Sequence, residues 1–313
     1  MDAILGAVDI GGNKIAVGLV SESGELLDST RWESDPTLDG REAIIPIAEA
    51  LKRLSVENHV ELTGVGCGVT GPVDFNRGIL GKNAFLPNWE GDVLVQTLIH
   101  ELHLPVFADN DAIATAMGEY TWGAGFGTRR FVFACFGTGI GVAVVMDDQP
   151  YRGVDGAHPE AGHMVIDMNS TAERCFCGAR GCWESLASGT AMEKRWRTEH
   201  GETLKVKAIT DRARAGDTDA LDAVDVMGRY IGVGVANLVT QFTPEVVCLG
   251  GGVMGSFDLF LPRIQEAVAQ NCGLVPYQKV KIKPAQFQEQ AGLLGAAAIF
   301  PLYSYRMKGL GLE

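Results

Sequence analysis

Between Glu160 and Glu184 the chain reads EAGHMVIDMNSTAERCFCGARGCWE, a stretch dense in residues that bind metals or exchange protons. Cys175, Cys177 and Cys182 fall within eight residues, and His163 stands twelve before the first of them. Three thiolates and one imidazole complete a tetrahedral zinc set, Cys₃His, with no position left for water. A closed set of that kind is structural, so the ion would staple a loop rather than do chemistry. Glu160 sits three residues before His163, and Glu184 two after Cys182. Fixing the metal would therefore fix two carboxylates and an imidazole close to each other. Buried apolar cysteines or the remnant of a disulfide are the alternatives. The clustering, among Gly178 and Gly181, favours the metal.

A second kind of chemistry is suggested by two glycine loops. Residues 5–20, LGAVDIGGNKIAVGLV, are two runs rich in β-branched residues around Gly11 and Gly12, which predicts a hairpin. Residues 131–145, FVFACFGTGIGVAVV, repeat the design around Gly137, Thr138 and Gly139. Glycines let a backbone approach a ligand closely and turn its amides toward an anion. Neither loop has Walker A spacing, and the second opens no Rossmann helix, because β-branched residues follow it. Their meaning lies in the repetition, which suggests an internal duplication with a nucleotide bound between two halves. Asp9, a carboxylate at the end of an apolar strand, is either a ligand of the bound group or a turn aspartate satisfied by local amides.

The elements that would position these residues follow from periodicity. Residues 41–54 have the apolar spacing of a covering helix, and 62–69 form an apolar strand running into the turn Thr70-Gly71-Pro72-Val73-Asp74. A short strand over 104–108 meets a helix beginning after Asp109-Asn110-Asp111. An aspartate at such a junction is usually an N-cap, and one of the two is expected to be so. Residues 193–225 read as charged helix and 230–242 as apolar helix. The strand 246–253 ends in Gly250, Gly251 and Gly252, which is either a tight turn or a surface for a ligand. A last strand over 279–285, a closing helix over 292–303 and a mobile tail from Arg306 complete the chain. Trp89 could offer an aromatic face to a ligand, although a tryptophan at a domain edge is more often packing.

Composition bounds the rest. The 313 residues suffice for two domains, and 46% apolar with 21% charged residues is a globular mixture. A net charge of −13 without a basic cluster disfavours nucleic acid and anionic membranes as partners. The longest uncharged run, 131–146, is interrupted by glycines and is too short to span a bilayer. Seven cysteines, four of them scattered singly, and no secretory leader suggest a reducing, cytoplasmic setting.

HPEAGH (His158 to His163) followed by CFCGARGCWE (Cys175 to Glu184) resembles the zinc fingerprint of the ROK family of sugar kinases and sugar-responsive repressors. DIGGNK (Asp9 to Lys14) resembles the family's first phosphate loop, with Asn13 where the family usually carries threonine. NAFLPNW (Asn83 to Trp89) is similar to its sugar-side segment, and Asn110-Asp111 to its catalytic pair. The resemblance runs through the whole chain in the family's order. It implies an α/β, actin-like (ribonuclease H-like) duplicated two-domain fold with an ATP cleft between the domains. The domains are expected at 1–112, rejoined by the final helix, and 113–313.

The implied reaction is ATP-dependent phosphorylation of a hexose on its 6-hydroxyl, most of all glucose, with an N-acetylhexosamine second. Asp111 would be the base. Asn83, Asn110, Glu160, His163 and Glu184 would bind sugar hydroxyls, His163 also ligating zinc with Cys175, Cys177 and Cys182. Asp9, Gly11, Gly12, Asn13, Lys14, Gly137, Thr138 and Gly139 would surround Mg²⁺ and the phosphates, and Gly250, Gly251 and Gly252 the adenosine. Domain closure would exclude water. Homodimers or homotetramers are expected. A sugar-sensing regulator without catalysis is the alternative; the presence of Asp111, the acidic charge and the want of a helix-turn-helix region before Asp9 speak for the kinase.

Overall fold

The computed structural model describes residues 3–309, except 36, 84–85, 92 and 172–173. The chain divides into two compact units: one of residues 1–127, 149–158 and 286–313, the other of 128–148 and 159–285.

The first unit begins with the predicted hairpin, β1 (Ile4–Ile10) and β2 (Lys14–Ser21), extended by β3 (Leu26–Glu33). Its alternating burial reflects a strand with one face in water. Helix α1 (Gly40–Glu57) follows, with the Asp39 carboxylate capping it by accepting the Glu42 amide at 2.9 Å. Ile44, Ile47, Leu51 and Leu54 form its buried stripe. Strand β4 (Leu62–Val69), the two-residue strands β5 (Val73–Asp74) and β6 (Ile79–Leu80), helix α2 (Val93–Leu102), strand β7 (Val106–Asn110) and helix α3 (Asp111–Thr121) complete the N-terminal part. The main sheet runs β3-β2-β1-β4-β7, with β1, β4 and β7 parallel. Trp89 is 2% exposed inside the core beneath this sheet, so it packs and offers no platform.

The second unit repeats the plan. β8 (Arg130–Phe136) and β9 (Ile140–Met146) form the second predicted hairpin, and β10 (Gln149–Pro150) opens the short stretch that belongs to the first unit. Helices α4 (Trp183–Ala187), α5 (Gly189–His200), α6 (Val206–Arg214) and α7 (Thr218–Phe242) follow. The expected helix over 230–242 thus begins twelve residues earlier, where the Asp217 carboxylate caps α7 by accepting the Asp219 and Ala220 amides. β11 (Val246–Gly250), α8 (Phe257–Asn271) and β12 (Lys281–Pro284) close the unit. Its strands are ordered β9-β8-β11-β12, an antiparallel hairpin followed by parallel strands, matching β2-β1-β4-β7.

Helix α9 (Ala291–Gly309) returns to the first unit. Leu293, Leu294, Ala296 and Ala297 pack on Leu5, Ala7, Ala16 and Val20 of the hairpin. Helix α3, which the sequence boundary at 112 would have assigned elsewhere, lies with α9 in this unit. The helix continues through 309, past the predicted start of a mobile tail at Arg306; residues 310–313 of that tail lie outside the described residues. Among the described residues no helix is long and apolar enough to cross a membrane.

Candidate active site

In the first unit the carboxyl ends of three parallel strands gather the candidate residues. Asp9 on β1 is in register with Gly68 on β4, which is in register with Asp109 on β7. The Thr70 amide donates to the Ile10 carbonyl at 2.9 Å, which sets the turn after β4 beside the first glycine loop. That loop closes with the Gly11 amide on the Lys14 carbonyl at 2.9 Å, and Asn13 and Lys14 stand exposed at its tip. The carboxyl ends of parallel strands are where open α/β sheets bind ligands.

Asp109, Asn110 and Asp111 take three different roles. Neither aspartate is the cap: the Asn110 side-chain oxygen accepts the Ala112 and Ile113 amides at 2.9 and 3.3 Å. Asp109 is fully buried and accepts from the Arg152 guanidinium and, at 2.5 Å, from the Tyr303 hydroxyl. Asp111 is the first residue of α3, and its Oδ1 accepts from Asn110 Nδ2 at 3.0 Å and from the Ala112 amide at 2.9 Å. Both bonds fall on one oxygen, which leaves Oδ2 for an incoming hydroxyl. Asn110 Nδ2 also donates to the Gly71 carbonyl at 3.1 Å, and Asn83 Nδ2 to the Thr70 carbonyl at 2.5 Å. The turn after β4 thus carries both asparagines. The sequence reading missed Arg152 and Tyr303; each is far in sequence from its partner, and no local pattern marks it.

Two carboxylates here are shifted. Burial pushes Asp9 up to about 6, the Asp111 charge adds to the shift, and Lys14 offsets part of it. Burial also raises Asp111, against hydrogen bonds from Ala112, the His158 charge and Asn110, which lower it. Gly292, near the start of α9, is needed for this arrangement, because a Cβ there would strike the Asp9 carboxylate. A buried carboxylate with a like-charged neighbour fits a hard divalent cation, which would relieve both penalties.

In the second unit the corresponding strand ends carry the second glycine loop, residues 137–139, and the triple glycine. Gly251 lies at φ +87° against the Phe136 backbone, where a Cβ would fit neither the space nor the conformation. Gly250 packs against Phe133 and Ala285, while Gly252 opens to free space. Packing therefore accounts for Gly250, while Gly251 and Gly252 are both exposed and leave room for a ligand at the turn.

Beside this loop lies the metal-ligand set. His163 Nδ1 is 3.6 Å from Cys175 Sγ and 4.0 Å from Cys182 Sγ, and the four ligand atoms of His163, Cys175, Cys177 and Cys182 lie within 4.8 Å of one another. Donors at about 2.0–2.3 Å from a tetrahedral ion are spaced by nearly such distances, so the set fits zinc. With Nδ1 toward the thiols, Nε2 is left for a hydroxyl. The Trp183 amide donates to the Met164 carbonyl at 2.9 Å, tying the two halves of the loop together. Glu160 precedes the short turn 161–163 and is exposed; its carbonyl accepts the His163 amide at 2.9 Å. Glu184 lies in the first turn of α4; its Oε2 accepts the Ile140 amide at 2.9 Å, and its Oε1 lies 3.8 Å from the Cys175 Sγ, which ties this carboxylate to both the glycine loop and the cysteine cluster.

Known proteins resemble this chain throughout. The ROK family model matches residues 5–302. The glucokinase of Thermotoga maritima is 32% identical over 306 residues, covering 93% of this chain and 95% of that protein. The xylose repressor of Bacillus spizizenii is 33% identical over 76% of this chain and 61% of its own length. Among solved structures, a ROK family glucokinase from Streptomyces griseus, in complex with glucose and AMPPNP, is 30% identical with a TM-score of 0.77. It covers 95% of this chain and 98% of its own. The duplicated hairpin-led sheets are therefore those of the actin-like two-domain fold. A match of this extent leaves the lineage plain: the chain belongs to the ROK family.

Proposed function

We propose that the protein transfers the γ-phosphoryl group of ATP to the 6-hydroxyl of a hexose, with glucose as the preferred substrate. The observation that carries this reading is Asp111, a largely buried carboxylate with its Oδ1 held by Asn110 and Ala112 and its Oδ2 left over. As the 6-oxygen attacks phosphorus, Oδ2 takes the hydroxyl proton, and the raised affinity of this carboxyl for a proton suits it to that step. Asn83, Asn110, Glu160, His163 and Glu184 would orient the sugar. Carboxylates accept from several hydroxyl donors of a pyranose, and a missing hydroxyl would leave one of them unpaired.

The phosphates would meet the loops at Gly11, Gly12, Asn13 and Lys14 and at Gly137, Thr138 and Gly139, with the adenosine against the exposed Gly251 and Gly252, just beyond the packed Gly250. Mg²⁺ held by Asp9 would neutralise phosphate charge when bound. Zinc on His163, Cys175, Cys177 and Cys182 would hold the loop that carries Glu160 and Glu184. The similarity to glucokinases, one of them crystallised with glucose and AMPPNP, supports this reading. The similarity to a xylose repressor favours a second, in which the same pocket senses a sugar without turning it over.

The sugar is tested by kcat/KM for glucose, mannose, fructose, N-acetylglucosamine and N-acetylmannosamine at saturating MgATP. Glucose should lead. An N-acetylhexosamine ahead by about tenfold, or 1.4 kcal/mol of discrimination, would overturn glucose while leaving hexose phosphorylation in place.

Acidification supplies a further prediction. Asp9 is neutral below about 6 and ionised above it, so it should hold a cation only on the alkaline side. The kcat/KM for MgATP should rise as pH passes through about 6, and raising Mg²⁺ should move that limb to lower pH. For the metal-free protein the raised value has the opposite sense: Asp9 favours folding below its ordinary value of 3.8, and that contribution is gone above about 6. A rate that stays flat from acid to neutral pH at both Mg²⁺ concentrations would rule out this role for Asp9.

A further inference from the structure

The loop 137–139 is held from one side by the residues that follow the cysteine stretch. The Gly189 amide donates to the Gly137 carbonyl at 2.8 Å, and the Thr190 hydroxyl to the Thr138 carbonyl at 2.8 Å. Within the loop the Gly137 amide donates to the Gly139 carbonyl at 3.0 Å, and the Ile140 amide donates to Glu184. Every carbonyl of 137–139 is thereby used, as are the first and last of the four amides over 137–140. The amides of Thr138 and Gly139 are left, without a hydrogen-bond partner among the described residues.

In a trans peptide the N–H points opposite to the C=O. The Thr138 amide shares its peptide with the Gly137 carbonyl, and the Gly139 amide shares its peptide with the Thr138 carbonyl. Holding both carbonyls toward Gly189 and Thr190 therefore turns both amides the other way. Two successive amides so presented form a concavity for an anion.

We propose that Thr190 is a positioning residue for the nucleotide: its hydroxyl fixes the 138–139 peptide so that the Gly139 amide, beside that of Thr138, faces the phosphates. The inference rests on the nucleotide reading above and adds a residue that touches neither substrate. Thr190 is not needed to start its helix, because Ser188 caps α5 by accepting the Ala191 amide at 3.1 Å. Its side chain is exposed, so removing the hydroxyl opens no cavity. Valine keeps the β-branched shape and lacks the donor; serine keeps the donor and lacks the methyl group.

The test is calorimetric titration of the zinc-loaded protein with MgAMPPNP, and separately with glucose, for wild type, Thr190→Val and Thr190→Ser. Thr190→Val should bind MgAMPPNP about fivefold or more weakly, the share of one net hydrogen bond, with glucose affinity, zinc content and Tm unchanged. Thr190→Ser should bind the nucleotide nearly as wild type does. Equal binding by wild type and Thr190→Val overturns the inference and leaves the kinase reading standing, as does weakening that serine fails to rescue. Failure of the wild type itself to bind MgAMPPNP overturns the nucleotide reading and this inference with it.

Discussion

Replacing Asp111 with asparagine should lower kcat by roughly 10²-fold or more while leaving the KM for sugar nearly unchanged. The structure makes this a clean substitution. Asn110, not Asp111, caps α3 through its bonds to the Ala112 and Ile113 amides, so the helix does not depend on a charge at 111. An asparagine Oδ1 still accepts from Asn110 Nδ2 and the Ala112 amide, as the carboxylate does now. What is lost is a proton acceptor at the second position. Because the buried carboxyl is costly to ionise, the variant should also be at least as stable as the wild type near neutral pH. Steady-state kinetics beside a thermal melt decide it: near wild-type kcat would reduce Asp111 to a structural residue.

Loss of the metal should have the second largest effect. Cys177→Ser removes one of the four proposed ligands at an exposed position, so no core contact goes with it. Zinc content should fall from about one per chain toward none. Structural zinc contributes its binding free energy to the fold it holds, and here that fold is the loop from Glu160 to Glu184. The two units keep their own cores, with Trp183, Ile231 and Val247 in one and Ile44, Leu51 and Val65 in the other. The melt should therefore shift without abolishing the transition, and the KM for sugar should rise as Glu160, His163 and Glu184 lose their common anchor. Elemental analysis that finds no zinc in fully active wild-type protein would remove the claim.

Much of this was legible in the sequence because its signals are local. The two hairpins follow from β-branched runs broken by Gly11-Gly12 and by Gly137-Thr138-Gly139, and the repeat of that unit announced the duplicated sheets. The Cys₃His set is local as well, the four residues lying within twenty positions of one another. What could not be read depends on distant partners. One of Asp109 and Asp111 was expected to cap the helix, yet Asn110 does so, and Asp109 is paired with Arg152 and with Tyr303, 43 and 194 residues away. The edge strand β3 carries alternate polar residues facing water, which gave too weak a pattern to separate it from a loop. Thr190 belongs to the same class, since only the fold brings its hydroxyl to the Thr138 carbonyl, 52 residues earlier.

Catalysis, as against sugar sensing, is decided most directly by incubating the zinc-loaded protein with glucose and MgATP and following ADP and sugar products together. A sugar kinase acting through Asp111 should release ADP only when glucose is present, with about one phosphate on the 6-hydroxyl for every ADP formed, and should lose both products in Asp111→Asn. Glucose that binds while ADP stays at its sugar-free level would contradict catalysis.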